Sequence, residues 1–241
     1  MSQTRWYQER SKEGYYRRAK KEGYRARSAY KLQQVNEKYK VLQSGDAVAD
    51  LGCAPGGWLQ VLVEAVGSDG LVIGVDLQRV KPVPGAKAIQ GDFTKRDTHA
   101  KLAGLLSDAG RKELDTVVSD MAPDMSGNYD VDQFRSVHLS EMALDFATAH
   151  LKPGGHFVCK VFEGADFLQF RNDVKARFKS FYQFHPPASR KQSSEIYLVA
   201  KGFKPMKAVP AGEETTDAPK EKKVRKRSKK YQEAEANAAD E

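Results

Sequence analysis

The sequence predicts an α/β protein built on a doubly wound, mostly parallel sheet of seven strands with helices on both faces. Two observations carry that expectation. Short apolar runs alternate with longer amphipathic runs through residues 41–204, which is the signature of successive βαβ units. A glycine-rich turn, Asp50–Trp58, joins the first apolar run to the first amphipathic one, where such folds place a ligand.

The elements follow in chain order. Ala29, Leu32, Val35 and Tyr39 recur at helical spacing, so Lys31 is expected on a short helix leading into the domain. Strands are predicted at Ala47–Leu51, Leu71–Asp76, Ala86–Gln90, Asp115–Asp120, His156–Val161, around Phe181–His185, and at Ile196–Ala200. Helices are predicted at Trp58–Val66, Thr98–Ala109, Val131–His150 and Phe167–Phe178. Gly67 and the LKPGG stretch Leu151–Gly155 mark two helix ends, because glycine adopts the left-handed conformation that closes a helix. The last two strands read as a hairpin-like pair.

Charge divides the chain into three zones. Residues 1–40 hold 12 Lys and Arg against 4 Asp and Glu, residues 41–204 hold 19 against 20, and residues 205–241 hold 9 against 8. The excess of +8 therefore sits at the N-terminus. There it is interleaved with Trp6, Tyr7, Tyr15, Tyr16 and Tyr24, a mixture suited to phosphate contacts and base stacking. A solvated leader is the competing reading. The tail from residue 205 has almost no large apolar side chains and is expected to be disordered and charged. No apolar stretch is long enough for a signal core or a membrane span, so a soluble, cytoplasmic protein without membrane attachment is expected. Cys53 and Cys159 are expected as reduced thiols.

In the turn DLGCAPGGW, Gly52, Gly56 and Gly57 let the main chain approach a ligand. The middle glycine of a dinucleotide fingerprint is replaced by Ala54, followed by rigid Pro55, which argues against NAD or FAD. Asp76, ending the second strand, is placed to hold the two hydroxyls of a ribose, and Asp92 in GDF to accept from an adenine amino group. Farther along, Asp120 ends the fourth strand, Lys160 the fifth, and Glu195 begins the last. A lysine inside the apolar run FVCKVF is costly unless it is paired or functional. His99, His138, His150, His156 and His185 show no paired ligand spacing, and no metal is expected.

Taken together, SAYKL, DLGCAPGGW, GDF, SDMAPDMSG, KVF and SSEIYLVA, occurring in that order, resemble the FtsJ/RrmJ family of ribosomal RNA 2′-O-methyltransferases from about Arg27 to Phe203. The resemblance implies a Rossmann-like fold with S-adenosyl-L-methionine as methyl donor. It implies a catalytic set of Lys31, Asp120, Lys160 and Glu195 with Lys160 as proton acceptor, and cofactor contacts from Gly56, Trp58, Asp76, Asp92 and Asp120. It further implies as substrate a uridine ribose of large-subunit ribosomal RNA, on the assembled large subunit; separately, a monomer is expected. Asp124 departs from the asparagine expected there, and the tail lies outside the family pattern.

The chemistry asks for such groups in its own right. Methyl transfer from a sulfonium is an in-line displacement, so the protein mainly aligns and activates a hydroxyl. A lysine can take the hydroxyl proton, or as a cation steady the developing alkoxide, and the sequence leaves both open. Two rivals stand beside this reading: a methyltransferase with another target, and a non-enzymatic RNA-binding ribosome-assembly factor on the same fold. An amino-directed enzyme often carries an Asn/Asp-Pro-Pro-aromatic turn after the fourth strand, where this chain has Asp120-Met-Ala-Pro.

Overall fold

The computed structural model describes residues 14–189 and 194–205. The first 13 residues of the leader and the tail from Met206 onward lie outside the described residues. The elements are α1 (residues 14–22 as described), α2 (Ala29–Tyr39), β1 (Ala47–Leu51), α3 (Gly57–Val66), β2 (Leu71–Asp76), β3 (Ala86–Gln90) and α4 (Arg96–Asp108). They continue with β4 (Leu114–Ser119), α5 (Tyr129–His150), β5 (Leu151–Phe162), α6 (Phe167–Arg177), β6 (Phe178–Phe184) and β7 (Glu195–Phe203).

The seven strands form one sheet in the order β3-β2-β1-β4-β5-β7-β6. All neighbours pair in parallel except β7, which runs antiparallel to both β5 and β6. Chain order reverses between β1 and β4, which opens a crevice at the carboxyl ends of those two strands.

Side-chain alternation sorts the apolar residues into two cores, one on each face. Ala47, Ala49, Leu51, Val117, Phe157 and Cys159 face a core completed by α4, α5 and α6, with Leu102, Leu144 and Phe170 among its members. Val48, Val72, Val118, Val158, Tyr197 and Val199 face the other core, completed by Leu32 and Val35 of α2 and Leu59 and Leu62 of α3. Every residue of β1 is buried, as expected of a central parallel strand covered on both sides.

Four of the boundaries that differ from the sequence expectation do so for a physical reason. Helix α5 starts at Tyr129 rather than Val131, because the Asn128 side chain accepts from the backbone N–H groups of Asp130 and Val131 and caps it. The LKPGG stretch ends α5 and also begins β5, five residues before His156. Leu151 pairs with Leu114 and His156 with Thr116, so a register shift absorbs the intervening residues. At its other end β5 extends to Phe162, because β7 pairs with it as far as Phe162↔Glu195. Lys160 therefore lies inside the strand and not at its end. Strand β6 begins at Phe178, where the sequence suggests helix; as a partly exposed edge strand it carries the polar residues Lys179, Ser180 and Gln183.

Candidate active site

Sheet register assembles the candidate site. Leu51 pairs with Val75 and Ser119, Ser119 with Cys159, and Lys160 with Tyr197. One step beyond the first three pairs lie Asp76, Gly52 and Asp120, so Asp76, Gly52, Asp120, Lys160 and Tyr197 fall into one row across five strands. These are the even-numbered positions of β1, β4 and β5, on the same face as Val48, Val118 and Val158. Gly52 stands between the two carboxylates with φ +75°, and the Met121 side chain fills the place where a Cβ would lie. Ser28, Asp50, Gly52, Trp58 and Asp120 line a small cleft there, together with the Cys53–Pro55 turn.

At one end of the row two ion pairs are joined through a tyrosine. Lys160 Nζ donates to Asp120 Oδ1 at 2.9 Å and to the Asp120 carbonyl at 2.6 Å. Lys31, carried over the sheet by α2, donates to Glu195 Oε1 at 2.5 Å, and Ser189 donates to the same oxygen at 2.7 Å. Tyr197 links the pairs: its hydroxyl donates to Asp120 Oδ1 at 2.5 Å, and the Lys31 ammonium lies 5.7 Å from its ring centroid. Both lysines are buried, at 7% and 8% exposure, so neither is a surface lysine extended into water. Burial, with the charges of Asp120 and Glu195 added, drives the Tyr197 phenol well above its ordinary pKa and keeps it a hydrogen-bond donor.

Asp50, at 1% exposure, has neither carboxyl oxygen hydrogen-bonded within the described residues. Desolvation first, and then the negative neighbours Asp120 and Asp76, push its carboxyl well above the usual range. A buried carboxyl without donors is a costly arrangement, and this one faces the cleft.

The remaining predicted residues flank this centre. Asp76 Oδ2 accepts from the N–H of Ala54 at 2.8 Å, and its Oδ1 accepts from Gln78 N–H at 2.7 Å. The residue thus fixes the glycine-rich turn as well as standing in the row. Asp92 Oδ1 accepts from the N–H and hydroxyl of Thr94, and these two donors hold its carboxyl below the ordinary range. Gly56 has φ +106° and closes the turn, but a Cβ there would meet Arg25 and Val83. The indole of Trp58 is buried against Tyr197 with ring centroids 6.0 Å apart, and its N–H donates to the carbonyl of Ser28.

Sequence reasoning missed Asp50, Tyr197 and Ser28. Alternation along β7 was the available signal for Tyr197, since it stands two residues from Glu195 on the same face. Asp50 likewise shares a face with Gly52. Ser28 carried no signal, because only tertiary packing brings it to the cleft. His99 and His150, 51 residues apart in sequence, meet with ring nitrogens 2.7 Å apart behind the sheet, and burial and then the neighbouring ring lower His150 to about 4. Among the described residues no group of three or more His, Cys, Asp or Glu is placed to hold a metal ion, and no helix is long and apolar enough to cross a membrane. Cys53 and Cys159 are both free and buried.

Known proteins share this arrangement of fold and motif. The family model described as FtsJ-like methyltransferase matches residues 24–203. A protein of Halorubrum lacusprofundi named ribosomal RNA large subunit methyltransferase E is 50% identical over 165 residues, covering 68% of this chain and 60% of that protein. The chain therefore spans less than two thirds of that relative. One of the same name from Chromobacterium violaceum is 46% identical over 201 residues, covering 83% of this chain and 97% of that protein. The crystal structure of a Plasmodium falciparum chain described as a ribosomal RNA methyltransferase superposes with a TM-score of 0.67 at 31% identity, covering 75% of this chain and 98% of that one. With the matched segment running from the end of the leader through all seven strands, the chain belongs to the FtsJ-like methyltransferase family.

Proposed function

We propose that the protein transfers a methyl group from S-adenosyl-L-methionine to a ribose 2′-hydroxyl of large-subunit ribosomal RNA, with a uridine on the assembled large subunit as acceptor. The observation that carries this reading is the row Asp76, Gly52, Asp120, Lys160, in which two residues that line the cleft, Gly52 and Asp120, stand between a ribose-type carboxylate and a buried lysine. The names of the relatives support the RNA target.

The residues present fit the methyl donor. Asp50 has two buried oxygens in need of hydrogen, and the ammonium of the donor's amino-acid end supplies N–H groups. The first turn of α3 offers main-chain N–H groups to its carboxylate. Asp76 takes the ribose and Asp92 the adenine amino group, using oxygen lone pairs left over from their turn contacts. Gly56 shapes the turn and Trp58 walls the cleft. Bound there, the donor supplies an electrophilic methyl carbon and a neutral thioether as leaving group.

The protein's own task is to present the acceptor hydroxyl in line and manage its proton. As the new O–CH3 bond forms and the S–CH3 bond breaks, one proton must leave the hydroxyl. Lys160 acts on that proton or on the incipient alkoxide, held in place by both acceptors on Asp120. Lys31, fixed by Glu195, adds positive charge where the alkoxide develops. The leader, residues 1–40, supplies RNA affinity, the methyltransferase domain is 41–204, and the segment 205–241 is a separate charged tail.

The test is methyl transfer from labelled S-adenosyl-L-methionine to large subunits and to free ribosomal RNA, with the methylated nucleotide located by its resistance to alkaline cleavage. Label in a ribose of large-subunit RNA supports the proposal. Label in a base, or binding of the donor without transfer to any RNA, overturns it, and no heat on titration with the donor favours the assembly-factor alternative.

A further inference from the structure

Arg25 belongs to the basic leader, where a positive side chain invites assignment to RNA. Its geometry is different. The guanidinium Nη1 donates to the carbonyls of Pro55 at 3.1 Å and Lys81 at 2.6 Å, and Nη2 donates to that of Pro82 at 2.6 Å. Its donors therefore go to main-chain oxygens of two loops. One is the glycine-rich turn after β1; the other is the loop that follows Asp76 at the end of β2. The first lines the cleft, and the second leads directly from Asp76 of the row.

The contact is built from both sides. At Gly56 a Cβ would lie 2.9 Å from Arg25 Nη1, so the glycine leaves the space the guanidinium occupies. Arg25 N–H donates to Gln60 Oε1 at 2.9 Å, and Gln60 Nε2 returns a bond to the Gly23 carbonyl at 2.9 Å. Ala26 packs on Gly57, where a Cβ would come within 3.0 Å of the alanine methyl. The leader is thus laced to the first turn of α3 immediately before Ser28 lines the cleft. A planar fork of N–H groups bridges three carbonyls at fixed angles, and an ammonium cannot reproduce that pattern.

We infer that Arg25 is a positioning residue for the methyl donor, clamping the glycine-rich turn that lines the cleft to the loop that follows Asp76, and not a phosphate contact. The inference rests on the cofactor assignment proposed above. It gives the glycine at position 56 a second purpose, since a Cβ there would displace the guanidinium from its place. It also means that one short stretch of leader both borders the RNA-facing charge and holds the donor site.

Arg25→Lys and Arg25→Gln in the full chain test it, with Arg25→Lys carrying the test where the other fails to fold. Titration with S-adenosylhomocysteine is expected to show affinity about tenfold or more weaker in both, with lysine failing to restore it. The KM for S-adenosyl-L-methionine should rise while kcat at saturation stays within about twofold, and RNA binding should keep its salt dependence. Without any cofactor, amide exchange in residues 77–85 should quicken. Unchanged cofactor affinity with a salt slope reduced by about 0.7–0.9 would make Arg25 a phosphate contact and overturn the inference. Unchanged exchange in residues 77–85 would overturn it as well. If the wild-type protein binds no cofactor while exchange still responds to the substitution, the cofactor assignment fails and the clamp between the loops stands.

Discussion

The Tyr197 hydroxyl and the Asp120 carboxylate share a 2.5 Å hydrogen bond on the same oxygen that accepts from Lys160. Tyr197→Phe removes that donor without leaving an unpaired polar group on the tyrosine side. Asp120 keeps Lys160 but loses one of its restraints. Methyl transfer is expected to fall by about tenfold, on the scale of one hydrogen bond, with donor affinity nearly unchanged. Single-turnover assays beside calorimetric titration separate the two, and wild-type turnover would show that the tyrosine only packs.

Lys160→Ala should lose methyl transfer by about 10²-fold or more while keeping the fold and the cofactor, since a group acting on the hydroxyl proton contributes mainly in the transition state. Near-wild-type single-turnover rates would remove Lys160 from the mechanism. Equal losses of donor affinity and rate would make it a positioning residue and pass the proton to Lys31.

At the opposite end of the row, Asp76→Ala is expected to weaken S-adenosyl-L-methionine binding tenfold or more, from about 1.5–3 kcal/mol for hydrogen bonds to a charged group. The substitution also frees the Ala54 N–H, so circular dichroism should accompany the titration. A native spectrum with unchanged affinity would remove Asp76 from the donor site.

Asp50 predicts a pH dependence of stability in the protein without cofactor. Its folded-state pKa lies above the unfolded value of about 3.9, so folding takes up a proton between those two limits. Its contribution to stability is complete below the unfolded pKa and is lost as pH rises through the folded one. Asp50→Asn escapes that loss. The variant should melt at least about 2 °C above wild type at pH 8, with the gap closing toward pH 4. A gap that is constant across pH would mean that Asp50 does not titrate in this range.

Lys20 and Lys21 are exposed on α1, beside an anchor in which Arg18 lies over the Tyr30 ring and Ala19 packs with Tyr30 and Ala188. If the leader carries RNA affinity, Lys20→Gln with Lys21→Gln should lower the magnitude of the salt slope by about 0.7–0.9 per lost phosphate contact. An unchanged slope would place the RNA surface elsewhere.

Much of this was legible in the sequence because parallel strands announce themselves as apolar runs, and because strand ends gather residues that are distant in the chain. The first three strands, Ala47–Leu51, Leu71–Asp76 and Ala86–Gln90, stand where they were predicted. Lys160 was recognisable as a polar group in an apolar run, Asp120 and Glu195 by their places at strand ends, and Lys31 by its helix, with the family resemblance joining the four. What periodicity could not supply was pairing. That Lys31 goes to Glu195 depends on how α2 crosses the sheet and on the antiparallel seating of β7. Arg25 was hidden for another reason: its partners are main-chain carbonyls, which every residue carries and which no pattern of side chains marks.

The row across five strands has a consequence for how the chain tolerates change in length. Loops between strands can gain or lose residues without moving Asp120 relative to Lys160, because hydrogen-bonded register and not loop length sets their alignment. Inside β5 or β7 the opposite holds. Deleting one residue between Cys159 and Phe162, or between Glu195 and Tyr197, would turn every side chain on one side of the deletion to the other face of the sheet. Side chains of the row would then point into the core beneath α5, and apolar side chains would take their place.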